Sequence, residues 1–204
     1  MGVDPGLTAT GFGVLEARAG GVVVVDAGVI STSAGQSLEA RLNAIYGAVH
    51  RVIEGQAPGL LIVEDLYTEY KFPRTAILMG HARGVIYLAA RQLGVTVLAL
   101  SASEVKRAIT GNGAAGKTQM QRGVQTLLGL KDLPRPSHVA DALGLALTGM
   151  ARVTGRTPTG RPVASAPRGA SAAGAWRGAA EGEPSEARVR RGAAEGEPSG
   201  NMIT

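Results

Sequence analysis

The sequence predicts an α/β or α+β sandwich built on a mixed sheet, followed by a tail that does not fold with it. Three observations carry that expectation. Near the start, two β-rich runs, Thr10–Glu16 and Val22–Ile30, stand side by side across a short turn at Ala17–Gly21, the pattern of an antiparallel hairpin. Later apolar runs are short and alternate with helix-period segments, as strands buried on both faces do. Near residue 154 the composition then turns to Ala, Gly and Pro with few apolar side chains, Val163, Trp176 and Val189 being isolated. Such a stretch cannot bury enough surface to offset its ordering entropy.

The elements follow in order. Met1–Asp4 reads as a first strand that is shorter than the ~5–6 residues usual for a strand, so several residues are expected to precede Met1. Leu38, Leu42, Ile45, Val49 and Val52 recur at helical spacing and predict an amphipathic helix over 37–54. Pro58-Gly59 breaks the chain ahead of Leu60–Val63, a short strand suited to burial. The apolar segment Thr75–Leu93 predicts a central helix, and Val95–Leu98 a further buried strand. Helices are expected at 103–109, 117–128 and 138–153, with Ser101 or Ser103 capping the first and Ser137 the last. Residues 1–153 therefore form the folded domain and 154–204 a low-complexity, disordered tail. Within the tail, Arg177–Ser185 and Arg191–Ser199 both read RGAAEGEPS. Two copies of a polar, helix-breaking unit do not make a solenoid.

Charge and composition narrow the function classes. The 204 residues carry a formal net charge of +5 and no cysteine. Disulfide scaffolds, thiol catalysis and cysteine-based zinc sites are excluded. Residues 1–150 hold 13 basic against 11 acidic side chains, and 151–204 hold 8 against 5, so much of the basic excess belongs to the tail. It favours a polyanionic partner only weakly. No apolar run approaches the ~20 residues of a spanning helix. The opening residues show neither a secretory nor a myristoylation pattern, so a cytoplasmic protein without a membrane partner is expected.

Several acidic residues sit where a solvated surface is not expected. Asp4 ends the first strand, Glu64 and Asp65 end Leu60–Val63, and Asp141 opens an apolar helix three residues after His138. Residues three apart share one helix face. Carboxylates at the ends of central strands are costly unless paired, hydrogen-bonded or bound to cations. An oxygen-rich set of this kind suits Mg²⁺ or Mn²⁺ and the hydrolysis of phosphodiesters. The structural alternative leaves Asp4 capping a turn, Glu64 paired with a lysine, and His138 and Asp141 at an ordinary helix start. Spacing alone does not choose between them.

The order Gly-Val-Asp4-Pro-Gly-Leu…Gly-Phe-Gly-Val, Ile-Val-Glu64-Asp and Arg-Pro-Ser-His138-Val-Ala-Asp141-Ala-Leu resembles the RuvC-type Holliday junction resolvases over residues 1–153. The resemblance implies a ribonuclease H-like fold with a five-stranded mixed sheet, and a homodimer that nicks four-way DNA junctions symmetrically during recombination and repair. It implies Mg²⁺ or Mn²⁺, two per subunit, and cooperation with the RuvA–RuvB branch-migration complex. Asp4, Glu64 and Asp141 match three of the family's four catalytic, metal-binding acids. His138 falls on the fourth position, where many members carry Asp and some His, which lowers the site charge from −4 to −3. Lys106 and Lys117 match positions used against DNA phosphates, with Lys71, Arg74 and Arg107 as extensions of that track. Tyr67 matches an aromatic that stacks on a base near the crossover, whereas Phe72 is expected to pack beneath the loop. Met79, Gly80, Arg83 and Tyr87 lie on the helix that forms the family's dimer contact.

Other readings use other residues. Gly111-Asn-Gly-Ala-Ala-Gly-Lys117-Thr118 matches the phosphate-loop pattern GxxxxGK[ST] and would make a nucleotidase. That loop should follow a buried strand, yet Ser101–Thr110 reads as a capped helix, and no strand ending in Asp follows residue 118. A junction-binding protein that does not cleave is the second alternative, suggested by the short first strand and His138. Asp4-Pro-Gly-Leu-Thr also resembles the first phosphate motif of actin-like and sugar-kinase folds, which need a duplicated domain for which 154 residues leave no room.

Overall fold

A computed structural model of the chain describes residues 1–19, 21–65, 73–155 and 188–191. Five strands and five helices follow in the order the sequence implied: β1 (Gly2–Asp4), β2 (Ala9–Arg18), β3 (Gly21–Ser31), α1 (Leu38–Gln56), β4 (Leu60–Glu64), α2 (Pro73–Gln92), β5 (Thr96–Leu100), α3 (Ala102–Thr110), α4 (Lys117–Leu128) and α5 (Ser137–Thr154). A further strand, β6, spans Arg188–Arg191.

The sheet order is β5-β4-β1-β2-β3-β6. β1, β4 and β5 run parallel, with Val3 opposite Val63 and Glu64 opposite Leu100. β2 returns antiparallel to β1, pairing Gly11 with Asp4, and β3 extends the hairpin with a register shift at Val14/Leu15. The parallel strands therefore end together, and the last residues of β1 and β4 are Asp4 and Glu64. The carboxyl ends of parallel strands are where α/β folds bind ligands.

Strand alternation divides the core into two layers. Leu61 and Val63 join Phe12, Ile30, Ile45, Val49, Ile53 and Ile86 beneath α1 and α2. Ile62, one residue out of phase, joins Leu100, Val105, Met120, Val124, Leu143 and Leu147 beneath α3, α4 and α5. Glu64 shares the parity of Ile62 and so belongs to the α5 side.

Two glycines explain how close α5 lies. A Cβ on Gly2 would stand 2.1 Å from Ala142 O, and one on Gly11 2.1 Å from His138 O. Any side chain there would drive the helix off the sheet. The Gly-Phe-Gly stretch of β2 thus serves packing: Gly11 and Gly13 face α5, and Phe12 fills the opposite layer.

Two details differ from expectation. Pro136, not Ser137, caps α5, and Ser137 is already its first helical residue; Pro136 has extended backbone, and its fixed φ suits a helix entry. The second concerns the sheet edge. The domain supplies the five mixed strands expected of it, and Arg188–Arg191, expected within a disordered tail, adds a sixth by pairing antiparallel with Gly28–Ser31. That segment starts after the first copy of the repeat, ends on the first residue of the second, and contains neither Gly nor Pro before Gly192, so it can supply extended backbone to the open edge of β3. The rest of the tail beyond Gly155 lies outside the described residues. By contrast Ser101 does cap α3, its Oγ accepting from Glu104 N–H at 3.3 Å.

Candidate active site

The chain brings four sequence-predicted residues to one end of the sheet from three distant segments. Asp4 closes β1 and is 8 % exposed. Its turn is held by Thr10, whose hydroxyl donates to Gly6 O at 2.7 Å. Glu64 closes the neighbouring strand β4, while His138 and Asp141 come from the first turns of α5. His138 Nδ1 lies 2.7 Å from Asp4 Oδ2.

The electrostatics are those of crowded acids. Burial pushes the Glu64 carboxyl up to about 8, and the Asp4 charge, a hydrogen bond with Asp4 and the Asp141 charge add to the effect, with Lys106 opposing. Burial likewise raises Asp141 to about 6, helped by Asp4 and opposed by His138, Lys117 and Lys106. His138 shifts up from its ordinary value because of its hydrogen bond to Asp4, against the effect of burial. Burial is the main cause for the two acids and the bond to Asp4 for the histidine, and neighbouring negative charge adds to all three.

The bond to Asp4 also fixes the imidazole chemically. A neutral ring that donates Nδ1–H to a carboxylate presents Nε2 as its open lone pair, the arrangement that orients histidine ligands. The carboxylates of Asp4, Glu64 and Asp141 are hard oxygen donors of the kind Mg²⁺ and Mn²⁺ take, and His138 Nε2 adds a borderline nitrogen donor beside them. Among the described residues no three of these groups are closed around a single ion-sized point.

Lys106 on α3 and Lys117 at the start of α4 face the acids across a cavity of about 280 Å³, whose lining includes Glu64, Gly116 and Asp141. A larger cavity of about 840 Å³ opens at the opposite end of the sheet among Met1, Leu60, Thr96 and Met150, with Glu16 its one charged side chain. The candidate carboxylates Glu64 and Asp141 and the two lysines line the smaller one. Gly111–Thr118 connects α3 to α4 instead of following a strand, which removes the context a phosphate loop requires. Gly116 N–H donates to Gln119 Oε1 at 2.9 Å, fixing the start of α4 and hence Lys117.

Tyr67, Lys71 and Phe72 lie outside the described residues. Arg74 and Arg107 are exposed, and Arg83 turns inward to Asp65 and Tyr87. Sequence reasoning missed the support provided by Arg41, which donates to Thr32 Oγ1 at 2.9 Å and Thr8 Oγ1 at 3.0 Å, bracing the turn after Asp4. Nothing in local pattern links positions 8, 32 and 41.

Comparison with known proteins agrees with this geometry. The family model described as crossover junction endodeoxyribonuclease RuvC matches residues 1–149. The chain is 42% identical over 149 residues to the crossover junction endodeoxyribonuclease RuvC of Rhodopirellula baltica, covering 73% of this chain and 84% of that protein. It is 44% identical over 147 residues to that of Moorella thermoacetica, covering 72% and 87%. Among solved structures, Thermus thermophilus RuvC superposes with a TM-score of 0.68 at 34% identity, over 79% of this chain and 98% of that one. The same protein in complex with a Holliday junction substrate gives 0.68 at 32% identity, over the same 79% and 98%. The yeast mitochondrial Holliday junction resolvase Ydc2 shares the fold, with a TM-score of 0.51 at 11% identity over 74% of this chain and 76% of its own. With the match running from β1 into α5, and so spanning every element that carries the acidic cluster, this chain belongs to the RuvC crossover junction endodeoxyribonuclease family.

Proposed function

We propose that this protein resolves four-way DNA junctions, acting as a dimer that nicks two like-polarity strands symmetrically and leaves 5′-phosphate and 3′-hydroxyl ends. The observation that carries the reading is the convergence of Asp4, Glu64, His138 and Asp141 at the ends of β1 and β4, facing Lys106 and Lys117. Family membership supports it.

Asp4, Glu64, Asp141 and His138 Nε2 would hold Mg²⁺ or Mn²⁺, two per subunit, and these ions when bound supply water activation and charge neutralisation at the leaving oxygen. The chain's own residues do the rest. Lys106 and Lys117 bind backbone phosphates of the DNA beside the acids. Asp4 orients the His138 ring through Nδ1, so that Nε2 either ligates or takes a proton. Tyr67 stacks on a base at the crossover. The exposed ridge of α2, where Ile77 is 60% and Leu88 50% exposed, supports a dimer contact through this helix. Cooperation with RuvA–RuvB and a cytoplasmic location follow from the family reading alone.

The test is an end-labelled four-way junction beside a matched linear duplex, incubated with Mg²⁺, Mn²⁺ or EDTA. Paired symmetric nicks on the junction alone, absent with EDTA and in Asp4→Asn, are the expected result. Tight binding without nicks in any metal would instead make this a junction-binding protein. Neither binding nor nicks would sink the proposal.

A further inference from the structure

Asp65 directly follows Glu64, and alternation along the strand sends the two carboxylates to opposite sides of the sheet. Glu64 lines the cavity beneath α3 and α5, whereas Asp65 meets Arg83 of α2 with Nη2 3.0 Å from Oδ1. The same nitrogen donates to Tyr87 Oη, and the guanidinium carbon lies 4.6 Å from the centre of the Tyr87 ring. On its other side the Asp65 N–H donates to Leu100 O of β5 at 2.8 Å. The residue after Glu64 is thus tied both to the neighbouring strand and to the helix behind the sheet.

The Arg83 side chain is 19% exposed and that of Asp65 54%. A pair half open to water adds little to stability. Its importance lies in its position, at the exit of the strand carrying Glu64 and the entry to the segment carrying Tyr67.

We infer that Arg83 is a positioning residue: through Asp65 it holds the end of β4 so that the Glu64 carboxylate stays turned toward Asp4 and Asp141. The inference rests on the resolvase reading above. It differs from the dimer-contact role that the family resemblance suggests for this arginine. Fixing Glu64 from behind matters because a shift of about 1 Å in a reacting group can cost on the order of 10²-fold in rate.

Single-turnover nicking of a labelled four-way junction at saturating protein with Mn²⁺ tests it, using the full chain, Arg83→Ala, Asp65→Ala, the double variant and Arg83→Lys. Junction affinity in EDTA, melting temperature and sedimentation are measured alongside. Each alanine variant is expected to slow nicking about 10–100-fold, as removal of a partner that orients a ligand does, while junction affinity, melting temperature and dimerisation hold. The double variant should be no slower than the worse single one, and Arg83→Lys should recover part of the rate. Unaltered nicking by Arg83→Ala beside an active wild type, additive losses, or a loss that follows dissociation of the dimer overturns the inference and leaves the resolvase reading standing. A wild-type chain that does not nick overturns both.

Discussion

His138 Nδ1 and Asp4 Oδ2 lie 2.7 Å apart although 134 positions separate the two residues in the chain. The bond joins the first strand of the sheet to the last helix of the domain and orients the one nitrogen-bearing group among the acids.

His138→Asn should therefore slow nicking about 10–100-fold at limiting metal, since it removes both the oriented Nε2 and the partner of Asp4. His138→Asp restores a carboxylate. The histidine's affinity for protons is raised by Asp4, and protonation removes the lone pair of Nε2. Wild-type activity at limiting Mn²⁺ should thus fall on acidification from neutral pH, with Glu64 and Asp141 also taking up protons there, and the shape of the fall should change in His138→Asp. A pH–rate profile of both proteins decides this; superimposable acid limbs would count against the role.

Stability of the metal-free protein should decline as pH rises. Glu64 goes from 4.5 to about 8 and Asp141 from 3.8 to about 6 on folding, and His138 also moves up. In each case the folded chain holds protons that the unfolded chain has released, so the unfolded state binds fewer and stability falls with pH through those windows. Melting temperatures in EDTA should drop between about pH 4.5 and 6, less so in Glu64→Gln; between about 6 and 8 the Met1 amine, pushed down to about 6 by burial, acts in the opposite direction and offsets part of the Glu64 effect. Added Mg²⁺ should raise the melting temperature more at pH 8 than at pH 6.

Lys106→Ala and Lys117→Ala should weaken binding to junction and linear duplex alike. Removing a lysine that neutralises one phosphate should reduce the slope of log K against log salt by about 0.9. Fluorescence anisotropy over a salt series reads this directly. An unchanged slope in either variant would show that its lysine does not meet the backbone.

Gly11→Ala tests the close seating of α5, because the added methyl would meet the His138 carbonyl at 2.1 Å. The obstacle is backbone, so the helix must shift. A drop of about 1–3 kcal/mol in unfolding free energy is expected, typical of forced overpacking, together with slower nicking as His138 and Asp141 move. Calorimetry and the junction assay check the two effects separately.

Most of the fold was legible because its signals are local. Helical spacing from Leu38 to Val52, the break at Pro58-Gly59 and the four-residue apolar runs each follow from neighbouring side chains, and the observed elements depart from these expectations by a few residues. Asp4, Glu64 and Asp141 stood out as acids at the ends of apolar strands and at a helix start, with His138 on the same helix face as Asp141, but spacing left their role open and it was the resemblance to the resolvases that joined the four into one set. What escaped was non-local. The Arg41 brace, the Arg83–Asp65 pair and the close approach of α5 to its glycines depend on which surfaces meet, and residue order encodes that only through the whole fold. The pairing of Arg188–Arg191 with β3 was missed for a different reason: a four-residue segment flanked by Ala, Gly and Pro carries no strand signal until an open edge is beside it.

The distance in sequence between Asp4 and Asp141 bears on when the cluster is assembled. Half of the cluster is supplied by α5, the last helix of the domain, and its closing contacts span nearly the entire folded length. Contacts of such long range form only after the entropy of a large loop has been overcome. A chain still emerging during synthesis, or one whose final helix has come loose, holds Asp4 and Glu64 without their partners. The four-residue cluster is thus complete only once the final helix has been seated on the sheet, and α5, buried along most of its length, is then held there by the core itself.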